Sequence, residues 1–117
     1  MAQPARIFVV EDEALVAETI ISALGDDYEV TSCGDSVAAL GRLATESPDL
    51  VLLDLLLPGG RAADVIAAAD AKGIAVILMT GDIERAETMR SGARAFLSKP
   101  FSIDALLEAV SKALARH

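Results

Sequence analysis

Five polar residues of this 117-residue chain stand at the ends of short apolar runs. Glu11 and Asp12 follow RIFVV at 6–10. Asp54 interrupts LVLLDLLLP at 50–58. Thr80 closes AVILMT at 75–80, and Lys99 follows AFLS at 95–98. Three carboxylates brought together repel one another unless something offsets their charge. A hard divalent cation with oxygen ligands does so. Magnesium fits, because it takes one or two carboxylates together with waters and phosphate oxygens. A hydroxyl and an ammonium beside it suit a phosphoryl group, whose oxygens they can bind. The chemistry in view is phosphoryl transfer, and it requires four separate segments to end at one place.

The segments that must position them are legible from hydrophobic pattern. Seven apolar residues around Asp54 read as a strand buried on both faces, as in a parallel sheet. An unpaired carboxylate inside such a sheet costs several kcal/mol, so Asp54 is expected where the strand ends and its side chain emerges. Pro58 and Gly59-Gly60 then turn the chain. Arg6–Val10 reads as the first strand. A helix follows from about Glu13 to Leu24, on Leu15, Val16, Thr19, Ile20, Ala23 and Leu24. Tyr28–Cys33 is the second strand. Gly34-Asp35-Ser36 opens a second helix through Val37, Leu40 and Ala44, ending near Ser47-Pro48.

A third helix uses Val65, Ile66 and Ala69 and stops at Lys72-Gly73. Ala75–Thr80 is the fourth strand. Gly81-Asp82 begins a short helical stretch with Ile83, Ala86 and Met89, broken at Gly92. Ala95–Ser98 is the fifth strand. Ser102 is expected to cap a last helix with Ile103, Leu106, Leu107, Val110 and Leu114 on one stripe. Five strands alternating with five helices predict a doubly wound α/β three-layer sandwich with a parallel sheet. All C-terminal strand ends then share one edge, where ligands of such sheets bind.

Length predicts one domain over residues 1–117. Hydrophobic residues make up 53%, which suits a sheet covered on both faces. No apolar run reaches membrane-span length, and no signal peptide is visible. The single cysteine, Cys33, fits a reducing cytoplasm. Ten Lys and Arg against 18 Asp and Glu give a charge of −8, which argues against direct nucleic-acid binding, while the lack of a long apolar run argues against a membrane. Taken singly, each site residue has a plainer reading. Glu11 and Asp12 are also favourable charges at a helix start. Thr80 is an ordinary strand threonine, and Lys99 an ordinary surface lysine. Asp54, among apolar neighbours, is hardest to dismiss.

VVEDE, LLDLLLP, MTG and SKPF, in that order, resemble the receiver domain of two-component response regulators, in a stand-alone, chemotaxis-regulator-like form. The resemblance runs from about Arg6 to Leu114. It implies a flavodoxin-like strand order 2-1-3-4-5. It implies that Asp54 accepts a phosphoryl group from a histidine kinase or phosphotransfer protein. Asp12 would bind Mg2+ directly, Glu11 through metal-bound water, and the Leu56 backbone carbonyl would be a further ligand. Thr80 and Lys99 would bind the phosphoryl oxygens. Thr80 and Phe96 would form the switch that alters the surface around the fourth helix, fifth strand and fifth helix. Pro100 matches a proline whose peptide is often cis.

The same likeness implies a downstream protein partner and leaves a phosphorylation-dependent dimer open. Such a domain is not an enzyme in the usual sense, catalysing only its own phosphorylation and dephosphorylation. The sequence departs from the family at Glu11, where aspartate is commoner. Thr80 to Lys99 is also about one helical turn short, taking 3.6 residues per turn. Two other readings stand beside this one. A magnesium-dependent phosphatase with an aspartyl-phosphate intermediate would place an acid two residues after Asp54, where Leu56 stands. A receiver-like module that no longer takes phosphate would have little use for Asp12, Asp54, Thr80 and Lys99 together.

Overall fold

A computed structural model of the chain describes residues 3–81, Glu84 and residues 95–115. The described elements are β1 (Arg6–Val10), α1 (Ala14–Leu24), β2 (Glu29–Cys33), α2 (Ser36–Thr45), β3 (Leu50–Asp54), α3 (Ala62–Ala71), β4 (Ala75–Thr80), β5 (Ala95–Ser98) and α4 (Ile103–Ala115). The short helix expected after Gly81 lies outside the described residues, Glu84 excepted. The strands form one parallel sheet in the order β2-β1-β3-β4-β5, the flavodoxin-like arrangement. Predicted and observed strands agree, apart from Tyr28, which precedes β2, and the apolar Leu55, Leu56 and Leu57, which lie beyond the end of β3.

Period-two alternation sends side chains of each strand to opposite faces. Phe8, Val10, Val51, Leu53, Val76 and Leu78 join α2 and α3 in one apolar cluster. Ile7, Val9, Leu52, Ile77, Met79 and Leu97 join α1 and α4 in another. Every residue of β3 is buried, as its continuous apolar run predicts. Burying one such Leu or Ile contributes about 1.5–3 kcal/mol, so the two layers dominate the stability.

Helix starts follow local chemistry. Asp35 caps α2 by accepting the Ala38 amide at 2.7 Å, and Ser102 caps α4 by accepting the Ala105 amide at 3.0 Å. Several expected core positions are corrected, and Thr19 and Ala44 are exposed together with three larger residues. Leu15 is 78% exposed, Val37 56% and Ile103 42%. In α2 the buried line is Ser36, Ala39 and Leu43, one position from the expected Val37, Leu40 and Ala44. A polar residue holds the first place on that line, so the apolar pattern pointed to the neighbouring stripe.

At the other end of α2, Lys72 Nζ donates to the Leu43 carbonyl and, at 3.1 Å, to the Glu46 carbonyl. A cation thereby meets carbonyls left without helical partners, at the negative end of the helix dipole. Lys72→Met is expected to lower stability by about 1 kcal/mol, read as a shift in the urea midpoint with an unchanged slope. An unshifted midpoint would remove this role. Among the described residues no helix is long and apolar enough to cross a membrane.

Candidate metal and phosphoryl site

Glu11, Asp54 and Lys99 each follow by two residues a member of the α1/α4-side cluster: Val9, Leu52 and Leu97. Alternation therefore delivers all three side chains to the same side of the sheet, just beyond its C-terminal edge. The Glu11 amide continues the ladder onto the Cys33 carbonyl at 3.0 Å. Lys99 arrives because its amide bonds the Thr80 carbonyl at 2.9 Å. Its peptide to Pro100 is cis.

Lys99 Nζ lies 2.5 Å from Glu11 Oε1 and 3.1 Å from Asp54 Oδ2. The other Asp54 oxygen, Oδ1, accepts the Leu56 amide at 2.9 Å. Asp54 is thus the last strand residue, as expected, but its carboxylate does not emerge. The residue is only 5% exposed, and an ammonium and an amide supply what water would have given. Glu11, 3% exposed, also accepts the Glu13 amide through Oε2 at 3.2 Å. Its plainer role at the start of α1 and its place among the acids therefore coexist.

Burial raises the Glu11 pKa above the ordinary carboxylate value. Its hydrogen bonds from Lys99 and the Glu13 amide act the other way without outweighing it, and Asp54 adds to the rise. For Lys99, burial alone would lower the pKa. The hydrogen bonds to Glu11 and Asp54 overcome this and hold the ammonium form more firmly than usual.

Asp12 is exposed, yet one oxygen each from Glu11, Asp12 and Asp54 lie within 4.8 Å of one another. Two oxygens on opposite sides of a single magnesium, at about 2.05 Å each, stand roughly 4.1 Å apart. The carboxylate set is therefore close to sharing one ion, with room for one acid to reach it through water. All three donors are hard oxygens, the type such ions prefer. The arrangement is compatible with a metal site.

Thr80 is 2% exposed at the end of β4. It follows Leu78, on the α2/α3 side, where half-buried Phe96 also packs. Phe96 pairs with Leu78 and Ser98 with Thr80, so Thr80 and Phe96 sit one alternation apart on neighbouring strands. The carboxylates and Lys99 occupy one face of the sheet end, and Thr80 continues the other. Gly81 follows Thr80 without crowding, since an added Cβ would come no nearer than 3.9 Å to the Lys99 carbonyl.

One residue with a part in this edge escaped the pattern. Ser36 bonds the loop after β3, across 22 sequence positions. A serine opening a helix carries no sign of such a distant partner.

The sequence model described as "Response regulator receiver domain" matches residues 7–111. The DNA-binding response regulator MtrA of Mycolicibacterium paratuberculosis is 35% identical over 96% of this chain and 52% of its own length. Transcriptional regulatory protein PdtaR of Mycobacterium tuberculosis is 33% identical over 98% of this chain and 59% of its own. The chain thus spans little more than half of these relatives. A CheY-like receiver domain from Methanospirillum hungatei superposes with a TM-score of 0.87 at 25% identity, over 97% of this chain and 96% of that one.

Proposed function

We propose, from the premise that this chain belongs to the response regulator receiver domain family, that Asp54 is its phosphoacceptor in a two-component phosphorelay. The donor is the phosphohistidine of a histidine kinase or phosphotransfer protein. The observation that carries the reading is the convergence of Glu11, Asp12 and Asp54 within 4.8 Å, with Lys99 bonded to two of them.

An Asp54 oxygen attacks phosphorus while the phosphorus–nitrogen bond to the donor imidazole breaks. The imidazole nitrogen keeps the bonding pair. Asp54 is thereby converted to an acyl phosphate. A carboxylate needs no general base for this attack. The Lys99 ammonium, already 3.1 Å from Asp54 Oδ2, meets the incoming charge, and the Thr80 hydroxyl binds a second phosphoryl oxygen. Glu11, Asp12, Asp54 and the Leu56 carbonyl would hold Mg2+. When bound it supplies charge compensation for the phosphoryl oxygens. Leu56 is 61% exposed and its side chain has no polar atom to orient a hydrolytic water. The same residue supplies no second acid for phosphatase chemistry. In this reading residues 1–117 act as one cytoplasmic receiver unit that catalyses only its own phosphorylation and dephosphorylation. It signals through a protein partner or a phosphorylation-dependent dimer.

The test is incubation with magnesium and acetyl phosphate, followed by intact-mass and peptide analysis. One added phosphate on Asp54 is expected. Turnover of added phosphomonoesters would favour the phosphatase, and the absence of both results would favour an inert module.

The phosphoryl group adds about −1.5 to −2 charge beside existing acids, and Thr80 turning toward it leaves space for Phe96 to turn inward. With phenylalanine there is no phenolic hydroxyl, so this coupling acts by packing. Phe96→Ala is expected to keep the phosphorylation rate within about twofold, since the ring is outside the reacting groups. The phosphorylation-induced amide shifts in β5 and α4 are expected to shrink by more than half. Undiminished shifts would sink the packing switch.

A further inference from the structure

We infer that Ser36 is a positioning residue for the metal site, clamping the loop that follows Asp54. This rests on the proposed role of the Leu56 carbonyl as a ligand. Ser36 is fully buried at the first position of α2. Its amide and its hydroxyl both donate to the Pro58 carbonyl, each at 3.1 Å. The same hydroxyl accepts the Arg61 amide at 3.0 Å. One side chain therefore fixes both sides of the Pro58–Arg61 turn.

The turn is shaped around that hydroxyl. Gly59 has φ +94°, and a Cβ there would fall 2.5 Å from Ser36 Oγ. Only glycine both adopts this backbone and leaves the hydroxyl its place. The near end of the loop is held as well. The Leu55 amide bonds the Met79 carbonyl at 3.2 Å, and the Leu56 amide bonds Asp54 Oδ1 at 2.9 Å. Leu57 is buried in the α2/α3-side cluster. The Leu56 carbonyl thus lies in a short span pinned on both sides. Its far anchor is a helix whose own start is fixed by Asp35. Ligands held by such outer partners bind metal more tightly, because less ordering remains to be done on binding.

The experiment is calorimetric magnesium titration of the whole chain, wild type against Ser36→Ala. Roughly tenfold weaker binding is expected for the variant. The acetyl phosphate rate at saturating magnesium is expected to stay within about twofold, because the reacting groups are untouched. In metal-free protein the Leu56 and Arg61 amides are expected to exchange about tenfold faster, with β3 and β4 protection retained. A folded Ser36→Ala with unchanged magnesium affinity overturns the proposal, even if it melts earlier. If Ser36→Ala does not fold, Gly59→Ala decides. Weaker magnesium binding there supports the clamp, and unchanged binding overturns it. A wild type that binds no magnesium defeats the metal reading instead. Amide exchange then judges the clamp, and unchanged exchange at Leu56 and Arg61 overturns it.

Discussion

Asp54→Asn is expected to take up no phosphate from acetyl phosphate or from a kinase. The amide is nearly isosteric with the carboxylate but carries no nucleophilic oxygen anion, so the covalent step has no attacking group. The fold should tolerate the change. Asp54 Oδ1 accepts the Leu56 amide at 2.9 Å, a bond that an asparagine carbonyl can keep. Lys99 would retain Glu11 as a charged partner at 2.5 Å. Two buried acids sharing one ammonium would become one acid and one ammonium, a closer balance of charge. The stability change is therefore expected to stay within about 1 kcal/mol, far below the cost of breaking a buried pair. Intact mass before and after incubation checks the first part, and a urea titration the second. A full phosphate gain on Asp54→Asn would move the acceptor to another residue and remove the centre of the functional reading.

How far the sequence reached depends on the range of the interactions involved. Strands β1, β3, β4 and β5 were legible because each is a short apolar run whose signal is local. The edge at which Glu11, Asp54 and Lys99 meet, and at which the strand carrying Thr80 also ends, then followed from parallel topology alone. The burial of Asp54 was not legible. Its main compensation is an ammonium 45 positions away, and a reading confined to neighbours could only send the carboxylate toward water. The α2 stripe was displaced for the opposite reason. Ser36 is buried because Pro58 and Arg61 satisfy its hydroxyl, whereas apolar Val37 beside it is left exposed. Leu15 and Ile103 show the limit of apolar periodicity in another way, since both line an open surface groove where α1 and α4 lie side by side, and singly exposed apolar residues are common on protein surfaces. The short helical stretch expected from Gly81-Asp82 up to Gly92 falls outside the described residues apart from Gly81 and Glu84.

Lys99→Ala should separate two functions that the wild-type site combines. The ammonium touches Glu11 and Asp54, two of the three acids that would hold the metal. Without metal it is the cation that keeps these buried carboxylates together. Removing it leaves them facing each other, and breaking a buried ion pair of this kind costs about 3–5 kcal/mol. The side chain of Lys99 is 21% exposed, so water enters the gap and the lower end, about 3 kcal/mol, is expected. Magnesium then has no resident ammonium to displace and meets acids with less compensation. Its affinity should rise by roughly tenfold, equivalent to about 1.4 kcal/mol, a modest part of the charge interaction at these distances. The phosphorylation rate at saturating magnesium should move the other way. Loss of one preorganised donor to developing charge costs about 10²–10³ in rate. Weaker folding, tighter metal binding and slower phosphorylation in one variant form a combination that a merely structural lysine does not produce. Magnesium affinity that falls along with the rate would instead make Lys99 a support for the acids and not a competitor for their site.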